Sequence, residues 1–230
     1  MAANRTNAHC RRPPCHLGLL WTTVAAASWI VAGCRTPTPE PPRLEPGREM
    51  SLFDGRSLGL WKVSDFRGGG AVRVRDGAIR IEKGNRITGI TWTGSLIKMD
   101  YEITLEAMRV EGSDFFCALT FPVGENPCTL VLGGWGGSVC GLSSLDGYDA
   151  SENATTQVVQ FDNGQWYHVR LRVVPNRIQA WLNAQPLVDV DTTDRRIGIR
   201  YEVEQSRPLG IATYLTTGAV RHIYLRTVPD

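Results

Sequence analysis

Outside its first 34 residues the chain has no run of ten or more residues whose apolar side chains return every 3.6 positions. That absence excludes a helical domain. Histidine is scarce, with four in 230 residues, and neither a C-x-x-C nor an H-E-x-x-H spacing occurs. A structural zinc site is therefore not expected. A basic run is missing as well. Past residue 33 the chain holds 22 Lys and Arg against 23 Asp and Glu, a formal charge of −1, whereas the whole chain carries +2. A near-neutral domain gives no footing for phosphate backbones, so no nucleic-acid partner is expected. Cysteine is sparse too: only Cys117, Cys128 and Cys140 follow residue 34. At most one pair of these can close, and the spacing leaves open whether Cys128 pairs with Cys117 or Cys140. Cys117 sits in the apolar run FFCALTF and reads as a buried thiol. No base adjoins any of them, so thiol catalysis is not expected.

What the chain does have begins with a leader. Arg5, Arg11 and Arg12 precede Leu17 to Ala32, an uncharged and mostly apolar run of 16 residues. That length suits a signal peptide and is short for a spanning helix. It ends Val31-Ala32-Gly33-Cys34, which resembles the bacterial lipobox, where cleavage precedes a cysteine that is then lipidated. Residues 1–33 are thus expected to be a lipoprotein signal peptide. Cys34 is expected to carry the lipid, anchoring an exported protein to the cell envelope, periplasmic or outer. Arg35 to Arg48 holds five prolines and few large apolar residues, so residues 34–49 read as an extended tether. The folded domain is expected over residues 50–230.

From there short alternating runs follow one another. Val72–Arg75, the turn dipeptide Asp76-Gly77 and Ala78–Ile81 predict a hairpin. Lys98 to Val110 alternates, with Tyr101, Ile103 and Leu105 on one face and Glu102, Thr104 and Glu106 on the other. Strands are also expected at Phe115–Phe121, Cys128–Leu132, Gln157–Phe161, Trp166–Val173, Arg177–Leu182, Leu187–Val190, Ile197–Tyr201, Gly210–Leu215 and Ala219–Arg226. About a dozen strands without helices predict an all-β domain, either two packed antiparallel sheets or a barrel. Such sandwiches commonly hold ligands on a sheet face rimmed by loops.

Gly133 to Thr156 breaks the alternation. Its 24 residues include six glycines, which suit sharp bends and close approach of a ligand. Trp135 and Tyr148 offer flat faces, and Asp146, Asp149, Glu152 and Asn153 offer polar groups. Flat faces with converging polar groups suit a sugar, whose C–H face stacks while its hydroxyls hydrogen-bond. The plainer alternative is a long surface loop whose glycines turn corners.

Leu52-Phe53-Asp54-Gly55, with Leu58 and Trp61 after it, resembles the L-F-[ND]-G-x-x-L-x-x-W opening of the 3-keto-disaccharide hydrolase family. Gly164-Gln165-Trp166, Leu182-Asn183 and the closing Arg221-His222-Ile223 are similar to further motifs of that family, in the same order. The resemblance spans about residues 51–228. The family's N-S-G-[IV] segment, due near Gly112–Cys117, is absent, and so is the Y-E-[VL]-Q strand expected after it. The resemblance implies a concanavalin-A-like jelly-roll sandwich acting on carbohydrate. On a 3-keto glycoside a base removes the acidified C2 proton, and the enolate expels the aglycone from C1. Asp149 or Glu152 is the expected base, its pKa raised by burial beside Trp135. Arg200 or Arg221 is expected at the enolate oxygen or neighbouring hydroxyls, alongside Trp135, Asp146, Tyr148 and Asn153 as sugar contacts. A divalent metal on Asp146, Asp149 and Glu152 is an alternative for the same task.

Other candidates have plainer readings. Glu102 and Glu106 resemble the carboxylate pair of laminarinase-type hydrolases, but four strand residues span about 13 Å, wider than glycosidase pairs allow. They read as a solvated strand face. His168 reads as a solvated histidine, and Asp146 before Gly147 as a turn residue. Three functions stay open: an enzyme cleaving oxidised glycosides, a glycan-binding module of the same fold, and an envelope lipoprotein contacting only proteins.

Overall fold

Strict alternation is carried through into structure. In a computed structural model, which describes residues 47–229, fifteen strands follow in chain order. They are β1 Glu49–Ser51, β2 Trp61–Val63, β3 Val72–Arg75, β4 Ala78–Ile81 and β5 Ile87–Trp92. Next come β6 Tyr101–Glu111, β7 Cys117–Val123, β8 Asn126–Gly134, β9 Val139–Ser143 and β10 Gln157–Val158. The last are β11 Trp166–Val174, β12 Arg177–Leu182, β13 Gln185–Asp191, β14 Gly210–Tyr214 and β15 Thr217–Thr227. One 3-10 helix, Tyr201–Ser206, precedes β14. The leader, Cys34 and the tether up to residue 46 lie outside the described residues.

The strands form two antiparallel sheets. One has eight strands, in the order β13-β12-β11-β6-β15-β4-β3, with β1 also on β15. The other has seven, ordered β10-β9-β8-β7-β14-β5-β2. This is the expected sandwich. Side chains that point inward from each sheet meet in one core. Tyr101, Ile103 and Leu105 come from β6, and Tyr167, Val169, Leu171 and Val173 from β11, facing Leu119 and Phe121 of β7 and Leu130 and Leu132 of β8. Trp61 is the family-like Trp of the opening motif. It is 2% exposed, donates its indole N–H to the Leu52 carbonyl at 2.8 Å, and packs edge-on against Trp92.

Several expectations need correction. The Gly133–Thr156 stretch is not one loop: it holds the end of β8, a tight turn and the whole of β9. Ile197–Tyr201 is not a strand. It makes a single bridge, Leu145 to Ile197, and runs into the 3-10 helix. Gln157–Phe161 gives only the two-residue β10. Ile87–Trp92 is a full strand that the turn signals did not mark. Glu102 is not solvated. It is 3% exposed, accepts from Arg226 at 2.7 Å and has Arg170 at 3.9 Å. Cys117, Cys128 and Cys140 are all free and buried, so no pair closes.

Burial disfavours the thiolate and pushes Cys117 and Cys128 up to about 12 and Cys140 to about 11. In a form lacking the first 46 residues, a thiol reagent at pH 8 should label none of these thiols while the domain is folded, and all three after denaturation. Rapid labelling of the native domain would contradict this placement.

Candidate functional site

The outer face of the seven-stranded sheet is poor in side-chain volume. Because Leu119, Leu130, Leu142 and Ile211 point into the core, their strand neighbours point outward. Strand register aligns these neighbours into two rows. One runs Gly141, Val131, Ala118, Ala212, Gly89, and the other Ser143, Thr129, Thr120, Gly210, Thr91. No residue in either row is larger than valine. At the flanks, loops press onto the glycines. A Cβ on Gly89 would meet Phe66 Cε2 at 2.9 Å, one on Gly141 would meet the Thr155 carbonyl oxygen at 2.8 Å, and one on Gly210 would meet the Ser206 carbonyl oxygen at 2.5 Å. In the middle the floor residues are buried, none of Ala118, Thr129, Val131 and Ser143 being more than 5% exposed, yet no side chain fills the space above them. A hollow of about 660 Å³ opens there over Ala118, Thr129, Val131 and Ser143, within the size range of small-molecule sites.

Aromatic side chains wall it. Phe115 and Tyr214 stack with centroids 5.7 Å apart and planes 25° off parallel, and Phe66, Trp135 and Tyr201 add further rings. Trp135 sits in the turn between β8 and β9 at φ 47° and is 42% exposed. A buried arginine fixes that turn. Arg109, 8% exposed and pointing inward from the end of β6, donates to the Gly137 carbonyl at 3.1 Å, to Asn163 Oδ1 at 2.7 Å and to the Phe161 carbonyl. Gly137, at φ 109°, admits this approach because a Cβ would stand 2.9 Å from the Arg109 Nη1. Asp114 closes the turn from the other side, accepting from the N–H groups of Phe115 at 2.7 Å and Gly136 at 3.2 Å.

The charged groups around the hollow divide into two sets. Arg200 pairs with Asp149 and, at 2.7 Å, with Glu202, while Ser143 Oγ, on the floor, donates to Asp149 at 3.2 Å. The Arg200 bond is the main reason the Glu202 carboxyl lies below its usual value, with Arg86 contributing at longer range. Arg67 and Arg86 form the second set. Both line the hollow, and neither side chain makes a hydrogen bond or direct ion pair with another described residue, Arg86 acting on Glu202 only at longer range.

Of the residues read from sequence, Trp135 and Arg200 line the hollow, and Asp149 stands directly behind Ser143 and Arg200. The rest lie elsewhere. Asp146, at φ 56°, is a turn residue held by Arg195 at 2.6 Å and by the Arg196 N–H at 2.9 Å. Tyr148 is 59% exposed and Glu152 is exposed, and neither lines the hollow. Asn153 is used up in shaping the loop: its amide donates to the carbonyls of Leu142, Tyr148 and Asp149, and its oxygen accepts from Thr155. Arg221 belongs to the other sheet, where it bonds Glu106 at 2.7 Å and stacks 4.0 Å over Trp166. The expected burial of Asp149 or Glu152 beside Trp135 is likewise corrected, since the first is ion-paired and the second faces solvent. Among the described residues no group of three His, Cys, Asp or Glu is placed to hold a metal. With Asp146 on Arg195 and Asp149 on Arg200, the acidic trio does not converge.

Sequence reading missed Phe66, Arg67, Arg86, Asp114, Phe115, Tyr201, Glu202 and Tyr214, which also line the hollow. They come from five separate stretches that only the sheet order brings together. A small-residue floor was the available signal, but reading it requires the register of five strands.

A family model described as a 3-keto-alpha-glucoside-1,2-lyase-like domain matches residues 49–226. No curated protein matches the chain. Among solved structures, the chain is similar to a galectin-like-fold protein of unknown function from Bacillus subtilis, at 10% identity and a TM-score of 0.54, covering 80% of this chain and 97% of that one. It is similar to the Crh5 transglycosylase in complex with NAG, at 8% identity and a TM-score of 0.54, covering 83% and 88%. It is also similar to domain 4 of AbnA, a GH43 extracellular arabinanase from Geobacillus stearothermophilus, in complex with arabinotriose, at 14% identity and a TM-score of 0.50, covering 80% and 94%. At these identities the likeness is one of fold.

The Arg200–Glu202 contact makes a pH prediction. Glu202 titrates below its ordinary 4.5 in the folded state, so its contribution is present above that value and is lost as pH falls through the folded value. The melting midpoint of the wild type should exceed that of Glu202→Gln at pH 7, and the gap should close as pH falls below 4.5. A gap that stays constant over this range would contradict the pairing.

Proposed function

The chain belongs to the family of 3-keto-alpha-glucoside-1,2-lyase-like domains, and from that premise we propose that its hollow binds a 3-keto-glucoside and cleaves it by elimination. The single observation that carries the reading is the hollow itself: a small-residue floor beside ring faces, with an arginine–carboxylate pair at one edge. A pyranoside fits this arrangement with its C–H face on Trp135 or the Phe115–Tyr214 stack. Its oxygens meet guanidinium and hydroxyl groups. NAG in Crh5 and arabinotriose in the AbnA domain are saccharides held by proteins of this fold.

The chemistry follows from the ketone. Asp149 takes the proton from C2, and the electron pair left behind forms the enolate, whose C3 oxygen Arg200 supports. The enolate then re-forms the C3 carbonyl, a C1–C2 double bond appears, and the C1–O bond breaks. The departing oxygen takes up a proton, so an unsaturated 3-keto sugar and a free aglycone result. Water adds to that product in a hydrolytic variant.

A second reading is favoured by one observation: both oxygens of Asp149 are already engaged, one by Arg200 and the other by Ser143. On that reading the domain is a glycan-binding module without turnover. Incubation with aryl 3-keto-glucosides separates the two. The enzyme reading expects aglycone release that falls by at least about 100-fold in Asp149→Asn, with saccharide affinity kept. Saccharide binding without release supports the module. In both readings Ala118→Leu, which fills the floor, lowers saccharide affinity at least about tenfold without unfolding the domain. Unchanged affinity in that variant would place the sugar elsewhere.

Export and lipid anchoring are part of the same proposal, supported by the Val31-Ala32-Gly33-Cys34 pattern after an apolar run. Cys34→Ala should move the protein from the membrane fraction to the soluble fraction. Continued membrane association of that variant would count against a lipidated Cys34.

A further inference from the structure

Asp149 and Ser143 stand at one end of the hollow and Arg67 and Arg86 at the other, with Glu202 bonded to Arg200 and within longer electrostatic reach of Arg86. Ser143 lies on β9 and Ile87, next to Arg86, lies on β5. These strands are four spacings apart in the sheet, about 19 Å at the usual interstrand distance. At the β9 end the charges are already matched, with Arg200 engaged by Asp149 and Glu202. Asp114, next to Phe115 in the wall, is engaged by two backbone N–H groups. At the β5 end neither the Arg67 nor the Arg86 side chain makes a hydrogen bond or a direct ion pair among the described residues, and Arg86 reaches Glu202 only at longer range.

Their backbones are nonetheless fixed. The Asn85 N–H donates to the Gly68 carbonyl at 2.9 Å, the Leu215 N–H donates to the Arg86 carbonyl at 3.2 Å, and a Cβ on Gly69 would lie 3.3 Å from the Ile87 carbonyl oxygen. The loop that carries Arg67 is thereby packed on the segment that carries Arg86. Two arginines on adjoining segments thus line one aromatic-walled hollow, and neither guanidinium fork is taken up by a direct hydrogen bond among the described residues. Such forks match the paired oxygens of a carboxylate or a phosphate. A neutral hydroxyl offers neither the charge nor the two parallel acceptors.

We propose that the saccharide taken by this hollow is anionic, with its carboxylate or phosphate held by Arg67 and Arg86 at the β5 end while a neutral ring lies towards Ser143 and Arg200. The proposal rests on reading the hollow as a saccharide site. It adds the substrate class: an acidic disaccharide or longer glycan, whose charged unit sits a ring or more away from the reacting one. The charge-matched β9 end accepts a neutral ring without leaving a charge unpaired, and the β5 end gains a direct partner for its two guanidinium groups.

The test is titration calorimetry on the full-length protein at low ionic strength with three probes: maltose, its analogue with a terminal glucuronate, and maltose 6′-phosphate. Each is measured against the wild type and against a double variant, Arg67→Gln with Arg86→Gln. Both arginines are exposed, so the variant keeps the fold, and an unchanged melting midpoint verifies that. At least one anionic probe should bind the wild type at least about tenfold more tightly than maltose. Which of the two does so identifies the anion. The preference should weaken with salt and vanish in the double variant. Equal affinity for all three probes, or a preference that survives in the double variant, would overturn the proposal while leaving the saccharide site intact. Absence of binding by every probe would overturn the saccharide reading along with it.

Discussion

The hollow exists because alternation forces it. Once Leu119, Leu130, Leu142 and Ile211 are committed to the core, the residues between them must face outward, and on five adjacent strands those residues are glycine, alanine, serine, threonine or valine. A one-residue slip in any strand would turn leucines onto that face and small residues into the core. Register therefore controls core and site together. The site is not an addition to the sandwich but the other side of the same pattern.

Around this floor most polar side chains have structural duties. Arg109 is a charged residue pointed inward, and its cost in desolvation is met by three acceptors. In return it holds the turn that presents Trp135. Asn153 and Thr155 do the same for the loop that carries Asp149, bonding it to Leu142 of β9. Rigid support of this kind suits a site whose rings must stand ready for a ligand. On the opposite sheet, Glu102, Glu106, Arg170, Arg221 and Arg226 form ion pairs, with Trp166 and Trp181 stacked under arginines. There the aromatic faces are already covered, so they do not compete as sugar platforms.

The fold was largely legible because β-alternation is local. The Val72–Ile81 hairpin, the long β6 and the β11–β12 pair follow from period-two patterns and turn dipeptides alone. The family-like opening at Leu52–Trp61 was legible for the same reason. Ile87–Trp92 escaped because its six residues ITGITW carry a glycine where a loop presses on the strand, which blurs the alternation. The site was legible only in part. Trp135, Asp149 and Arg200 stood out as residue types, but their neighbours Arg67, Arg86 and Tyr214 look like ordinary strand-end residues until the sheet is closed. Asp146, Asn153 and Arg221 misled because a turn, a loop clamp and a surface ion pair use the same side chains that a sugar site would.

The most direct measurement is amide chemical-shift mapping of the domain during titration with a 3-keto-glucoside. Shifts concentrated at Ala118, Thr129, Val131, Ser143 and the Trp135 turn, saturating together, are the predicted result. Shifts confined to the outer face of the eight-stranded sheet, around Glu106, His168 and Tyr224, would contradict the account.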